Sequence, residues 1–253
     1  MTVRELYAML NEKIPPSLSC PWDNDGLMCC PDGDREVGRV LVALDVTSEV
    51  AAYAKAEGFD VIVSHHPLLF KGLKSVNGET YLGKKTVELL LGGISVMSFH
   101  TRLDSVAGGV NDTLCRVLCI ENAVPFGEEA IGRIGSLRAP MTGEEFARLV
   151  KERLGAPVVH LGDAGLPVSR VAVLGGSGGD DLGAARAAGA DTYLSGNLGY
   201  HDLTDAPEAG MNLLEAGHFF TEQPVVGVLA AWLREMDPTL YVEEFYSNTV
   251  KTF

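Results

Sequence analysis

The chain has 253 residues, 46% of them hydrophobic, enough to bury a large core as one big domain or two smaller ones, and two are expected. Its formal net charge of −14, with Lys and Arg scattered rather than gathered into a stripe, opposes a phosphate backbone, so duplex nucleic acid is not an expected partner. A small anionic ligand would need metal ions to hold it.

Residues 1–16 carry Val3, Leu6, Tyr7 and Leu10 at helical spacing, which predicts an amphipathic helix and lacks the unbroken apolar stretch of a signal peptide. The next segment, Trp22-Asp23-Asn24-Asp25-Gly26, reads as a turn whose Asp and Asn side chains bond their own backbone. A strand over 40–46, a helix over 48–57 and a strand over 61–64 form a strand-helix-strand unit. Residues 171–195 repeat that unit without gaps, at a constant offset of 131 residues: Val40 answers Val171, and Ser64 answers Ser195. Near-continuous apolar strands separated by helices predict an α/β fold with at least some parallel pairing, in which ligands bind beyond the carboxyl ends of the strands.

A strand over 94–99 runs into His100-x-x-x-Asp104, and one over 211–217 runs into His218-x-x-x-Glu222. The copy that answers His65-His66 carries Gly196-Asn197, so only one of the duplicated units is expected to supply ligands. Glycine-rich, charged sequence after Val124-Pro125-Phe126-Gly127 suggests a crossing between domains. The expected division is residues 1–124 together with 216–253 as a metal-binding domain, and 125–215 as an inserted, internally related one. The apolar run over 224–233 is interrupted by Gly227 and falls short of the ~20 residues a membrane helix needs, so a cytoplasmic protein without a membrane partner is expected.

His65, His66, His100, Asp104, His218 and Glu222 are the candidate metal ligands, and six such groups hold two divalent ions if a carboxylate bridges. Either carboxylate alone is explained as a helix N-terminal acid, but adjacent histidines at a strand end face opposite sides and need separate polar partners. Which carboxylate bridges is left open. Ions roughly 3.5–4 Å apart would activate a shared water. His201, in Tyr200-His201-Asp202, is a candidate acid/base or substrate-binding group, with a surface histidine capping a helix as the equal alternative.

His160 reads as a structural histidine without a ligand partner. Five cysteines, Cys20, Cys29, Cys30, Cys115 and Cys119, form no Cys-x-x-Cys pair and suit a reducing compartment. Cys115 and Cys119 stand one helical turn apart, but they read as small buried apolar side chains. The run Gly175-Gly176-Ser177-Gly178-Gly179 resembles a phosphate-cradling loop, yet lacks the Lys-Ser or Lys-Thr of a P-loop.

Ser64-His65-His66-Pro67-Leu68-Leu69-Phe70, His100-Thr101-x-Leu103-Asp104 with Gly108-Gly109-Val110-Asn111-Asp112, Tyr200-His201-Asp202, Ala216-Gly217-His218-x-x-Thr221-Glu222 and Trp22-Asp23-Asn24-x-Gly26-Leu27 together resemble the NIF3-like family of dinuclear-metal proteins. Its members are often labelled GTP cyclohydrolase 1 type 2 homologues. The resemblance runs nearly end to end and implies the short form of the family. It implies two related α/β domains with mixed sheets flanked by helices, the second inserted into the first. It further implies a toroidal homohexamer and metal ligation by His65, His66, His100, Asp104, His218 and Glu222.

Arg102 stands where the family usually has Asn, and Asn197 where an acidic residue is common, departures expected to touch substrate contacts rather than the metal shell. The function this implies is a metal-dependent hydrolase whose activated water attacks a nucleotide or related heterocycle. A two-metal phosphoesterase and a non-catalytic metal-binding hexameric scaffold are the alternatives. The ligand set does not choose among zinc, iron, manganese, nickel and cobalt.

Overall fold

The computed structural model describes residues 1–253. In chain order, the elements are α1 (Val3–Lys13), β1 (Gly26–Cys29), β2 (Arg39–Ala43), α2 (Ser48–Ala56), β3 (Val61–Ser64), α3 (Tyr81–Leu91), β4 (Ser95–Ser98) and α4 (Thr101–Ser105). There follow α5 (Val110–Val117), β5 (Glu121–Phe126), β6 (Gly132–Met141), α6 (Gly143–Leu154), β7 (His160–Gly162), β8 (Val168–Ser177), α7 (Leu182–Ala187), β9 (Thr192–Asn197), α8 (Tyr200–Glu208), β10 (Asn212–Glu215) and α9 (His218–Glu222). The chain closes with α10 (Pro224–Met236) and β11 (Tyr241–Phe245).

Two compact units result, Met1–Val106 with Val226–Lys251, and Ala107–Val225. The cuts fall near residues 106 and 225, where the sequence pointed to 124 and 215. The stretch around Val124-Pro125-Phe126 is the edge strand β5, paired antiparallel with β6. Proline is tolerated there because an edge strand need not donate every amide. A consequence is that His218 and Glu222 fall in the second compact unit, where the sequence pointed to the first domain.

The first unit holds a mixed five-stranded sheet in the order β1-β4-β3-β2-β11, with only β1 antiparallel. Helix α1 begins with a capping box between Thr2 and Glu5 and buries Val3, Leu6 and Leu10, the stripe its spacing predicts. One core of this unit gathers Leu41, Ala54, Phe59, Ile62, Leu89 and Val96.

The second unit holds a mixed six-stranded sheet in the order β5-β6-β8-β9-β10-β7, in which β8, β9 and β10 run parallel. Val171 and Val173 enter one core with Phe146 and Val150, while Ala172 and Leu174 enter another with Tyr193 and Ala206, as alternation on a sheet covered on both faces requires. No helix is long and apolar enough to cross a membrane. The run over 224–233 lies in α10 and buries Val225, Val226, Leu229, Ala230 and Leu233.

The internal repeat is exact in register. Val40 pairs with Val61 and Ala43 with Ser64, while Val171 pairs with Thr192 and Leu174 with Ser195. Its most telling detail is an aspartate before the second strand of each copy. Asp60 accepts the amides of Gly38 and Arg39 at 2.9 and 3.0 Å, and Asp191 accepts those of Ser169 and Arg170 at 3.0 and 2.8 Å. Each carboxylate ties the start of one parallel strand to its neighbour, where the ladder leaves amides unpaired.

Candidate metal centre

In the first unit, Asp45, His65-His66 and His100 all follow the carboxyl ends of parallel strands, β2, β3 and β4. The three imidazoles converge: ring centroids lie 4.9 Å apart for His65 and His66, 5.3 Å for His65 and His100, and 5.9 Å for His66 and His100. Their candidate ligand atoms lie within 4.8 Å of one another. His65 and His66 therefore do not face opposite sides. Strand β3 ends at Ser64, and alternation of side chains holds only within the strand.

Each of these rings has its Nδ1 beside a protein acceptor. His65 Nδ1 donates to the carbonyl of Phe99 at 2.9 Å, His66 Nδ1 lies 2.7 Å from Asp45 Oδ1, and His100 Nδ1 lies 2.9 Å from Asp23 Oδ1. Acceptors at Nδ1 select the Nδ1–H tautomer, so coordination by any of the three falls to Nε2. His65 Nε2 already faces the buried Asp104, whose Oδ1 is 3.7 Å away.

Asp23, which the sequence offers as a turn former and as part of the family motif, does bond its own backbone, accepting the Asn24 amide at 2.8 Å. It also reaches across the unit: Oδ2 accepts the Thr101 amide at 3.0 Å and the Thr101 hydroxyl at 2.7 Å. Burial pushes its carboxyl up, but the hydrogen bonds from His100 and Thr101 outweigh that and hold it well below the usual carboxylate range. Asp25 works beside it, taking the His100 amide at 3.2 Å and Arg102 Nε at 3.0 Å.

Arg102 is almost fully buried; its Nη1 donates to Asn11 Oδ1 at 2.7 Å and the Ile14 carbonyl at 3.1 Å, and its guanidinium stacks 4.6 Å from the Phe99 ring centre. The departure at Arg102 is thus an internal anchor rather than a substrate contact. Trp22 and Phe70, 57% and 45% exposed, stand edge-on to each other and to His100.

In the second unit, His218 opens α9 and its Nε2 lies 3.0 Å from Glu222 Oε2, one turn on. Behind the ring, Asn197 Nδ2 is 3.2 Å and Ser177 Oγ 3.5 Å from Nδ1, so its neighbours are neutral where those of His66 and His100 are carboxylates. The glycine run is not a phosphate cradle. The Gly175 amide donates to Asn111, that of Gly176 to Thr221 Oγ1 and that of Gly178 to Ser195 Oγ. A Cβ on Gly176 would collide with Glu222, so this backbone is bare to let α9 close on it.

The likeness of the two His-x-x-x-acid motifs is not a residue-for-residue match. Strand pairing aligns Ser95 with Asn212, 117 residues apart, whereas His100 and His218 are 118 apart. His100 caps α4 and His218 is the first residue of α9, after Gly217 at φ +84°.

The other sequence candidates settle as follows. His201 lies exposed in the first turn of α8 with its ring against Tyr200, and bonds neither His218 nor Glu222. His160 is not partnerless; it sits opposite Glu215 across β7 and β10, Nδ1 2.5 Å from the carboxylate. Cys115 is buried and its thiol is pushed up to about 12 by burial, whereas Cys119 is exposed at φ +59°, against the expectation of two buried side chains.

A pair of α/β units with mixed sheets, bearing at parallel strand ends imidazole and carboxylate clusters that could hold a metal ion, defines the class of this protein. Within it, the chain belongs to the Duf34/NIF3 (NGG1p interacting factor 3) family, whose profile matches residues 1–252. It is 37% identical over 235 residues to a Clostridium perfringens protein named GTP cyclohydrolase 1 type 2 homolog, covering 89% of this chain and 88% of that one. Among solved structures, a Staphylococcus aureus hypothetical protein superposes with a TM-score of 0.89 at 28% identity, covering 100% of this chain and 99% of the other. Reduced HcgD from Methanocaldococcus jannaschii superposes with a TM-score of 0.85 at 28% identity, over 96% of this chain and 97% of the other.

Proposed function

We propose that the protein is a dinuclear metal-dependent hydrolase with His65, His66, His100, Asp104, His218 and Glu222 as its metal ligands. The observation that supports the reading is the set of three imidazoles whose Nδ1 atoms all rest on protein acceptors, so that Nε2 is the nitrogen that would ligate. That donor chemistry fits two borderline divalent ions. Bound ions would supply Lewis-acid activation of water near neutral pH. The chain's own residues do the rest. Asp23 and Asp45 orient imidazoles, Trp22 and Phe70 stand edge-on beside His100, and His201 is the candidate group for moving a proton. The substrate class is a nucleotide or related heterocycle, in line with the name carried by the relatives. Assembly as a toroidal homohexamer belongs to the same proposal, and light scattering tests it.

The test is elemental analysis of purified protein followed by turnover of GTP and related nucleotides by metal-loaded samples. Stoichiometric metal, and a product abolished by His66→Ala, are expected. Formate release marks ring opening and phosphate release marks phosphoester hydrolysis. Loaded protein that turns over none of them overturns the hydrolase reading.

A further inference from the structure

We infer that Asp23 is a positioning residue that fixes the His100 imidazole in its Nδ1–H form and aims Nε2 into the metal centre, an inference that rests on the reading of His100 as a ligand. A turn-forming aspartate needs only local amides. Asp23 instead spends both oxygens on the segment that carries His100: Oδ1 on the ring at 2.9 Å, and Oδ2 on the amide and hydroxyl of Thr101 at 3.0 and 2.7 Å. With the Asn24 amide at 2.8 Å, it accepts four hydrogen bonds, the full capacity of a carboxylate, and its side chain is fully enclosed.

A saturated carboxylate in that place cannot donate, so the ring nitrogen facing it must. Asp25 accepts the His100 backbone amide from the other side at 3.2 Å, which fixes the main chain from which the ring projects. Two further segments place acceptors at the equivalent ring atom, Asp45 behind His66 at 2.7 Å and the Phe99 carbonyl behind His65 at 2.9 Å. Three unrelated stretches of chain solving the same orientation problem indicate one purpose. Outer partners of this kind orient the ring and raise its basicity, and their loss typically costs about 10–100-fold in metal affinity.

The test uses the full-length chain. Long-range proton–nitrogen correlation spectra of metal-stripped protein, with the His100 signals identified by their absence in His100→Gln, read the tautomer directly. The Nδ1–H form is expected in the wild type, with a shift toward Nε2–H in Asp23→Asn and none in Asp45→Asn. Zinc affinity, measured by chelator competition, is expected to fall about 10–100-fold in Asp23→Asn. A wild-type His100 protonated at Nε2 overturns the inference even if the variant does not fold. So does an Asp23→Asn protein that keeps both tautomer and affinity. Wild-type protein that binds no zinc sinks the metal-centre reading instead, while the tautomer still decides what Asp23 does to the ring.

Discussion

The two copies of the strand-helix-strand unit pair their strands in the same register and tie them with the same aspartate, yet end differently. After β3 come His65 and His66; the answering positions after β9 are Gly196 and Asn197. Crowding explains the difference. A Cβ on Gly196 would stand 2.6 Å from the Gly176 carbonyl and the Thr221 hydroxyl and 2.7 Å from the His218 backbone, so no side chain fits where the first copy holds an imidazole. In the second copy α9 lies against the strand end and carries the candidate ligands His218 and Glu222 itself. Identical scaffolds thus offer different chemistry according to what packs on their carboxyl edge.

The largest effect that would break this comparison is expected from Arg102→Ala, which removes the cation shared by α4 and the 22–25 loop in the first copy only. It leaves the enclosed Asp25 carboxylate without its cation and is expected to cost about 3–5 kcal/mol, read by urea denaturation. If stability is unchanged, the 22–25 loop is not anchored from below. Gly196→Ala comes next, at about 1–3 kcal/mol from overpacking, with displaced His218 ring resonances. A neutral outcome would mean the second strand end has room for a ligand after all.

The smallest effect concerns the aspartate common to both copies. Burial pushes the Asp60 carboxyl up, but the amides of Gly38 and Arg39 and the Arg35 guanidinium outweigh this and hold it below the usual carboxylate range. A depressed carboxyl contributes stability above its unfolded value, near 4, and loses it as pH falls through the lower folded value. Asp60→Asn is therefore expected to flatten the loss of stability on acidification below about pH 4, seen in melts across that range. An unaltered acid profile would remove Asp60 from the account.

Much of this was visible in the residues. The constant offset of the repeat carries straight into the paired registers, and apolar runs bounded by Gly58 and Gly189 give their strands. The convergence of His65, His66 and His100 follows from strand-end placement. What stayed hidden depends on partners remote in sequence. Asp23 meets His100 across 77 residues, and Asp45 meets His66 across 21. Gly175 to Gly179 looks like an anion loop until Asn111, Thr221 and Ser195 are seen taking its amides. The one-residue slip between the two histidine motifs is likewise invisible without strand pairing. It arises because Gly217 turns α9 in where His100 caps α4.

Arg102 bears a consequence beyond stability. Its guanidinium is sealed between Asp25, Asn11 and the Phe99 ring. The scaffold beneath His100 is therefore set by the fold itself. A chelator would then take away a proposed ion without unseating the wall on which His100 stands.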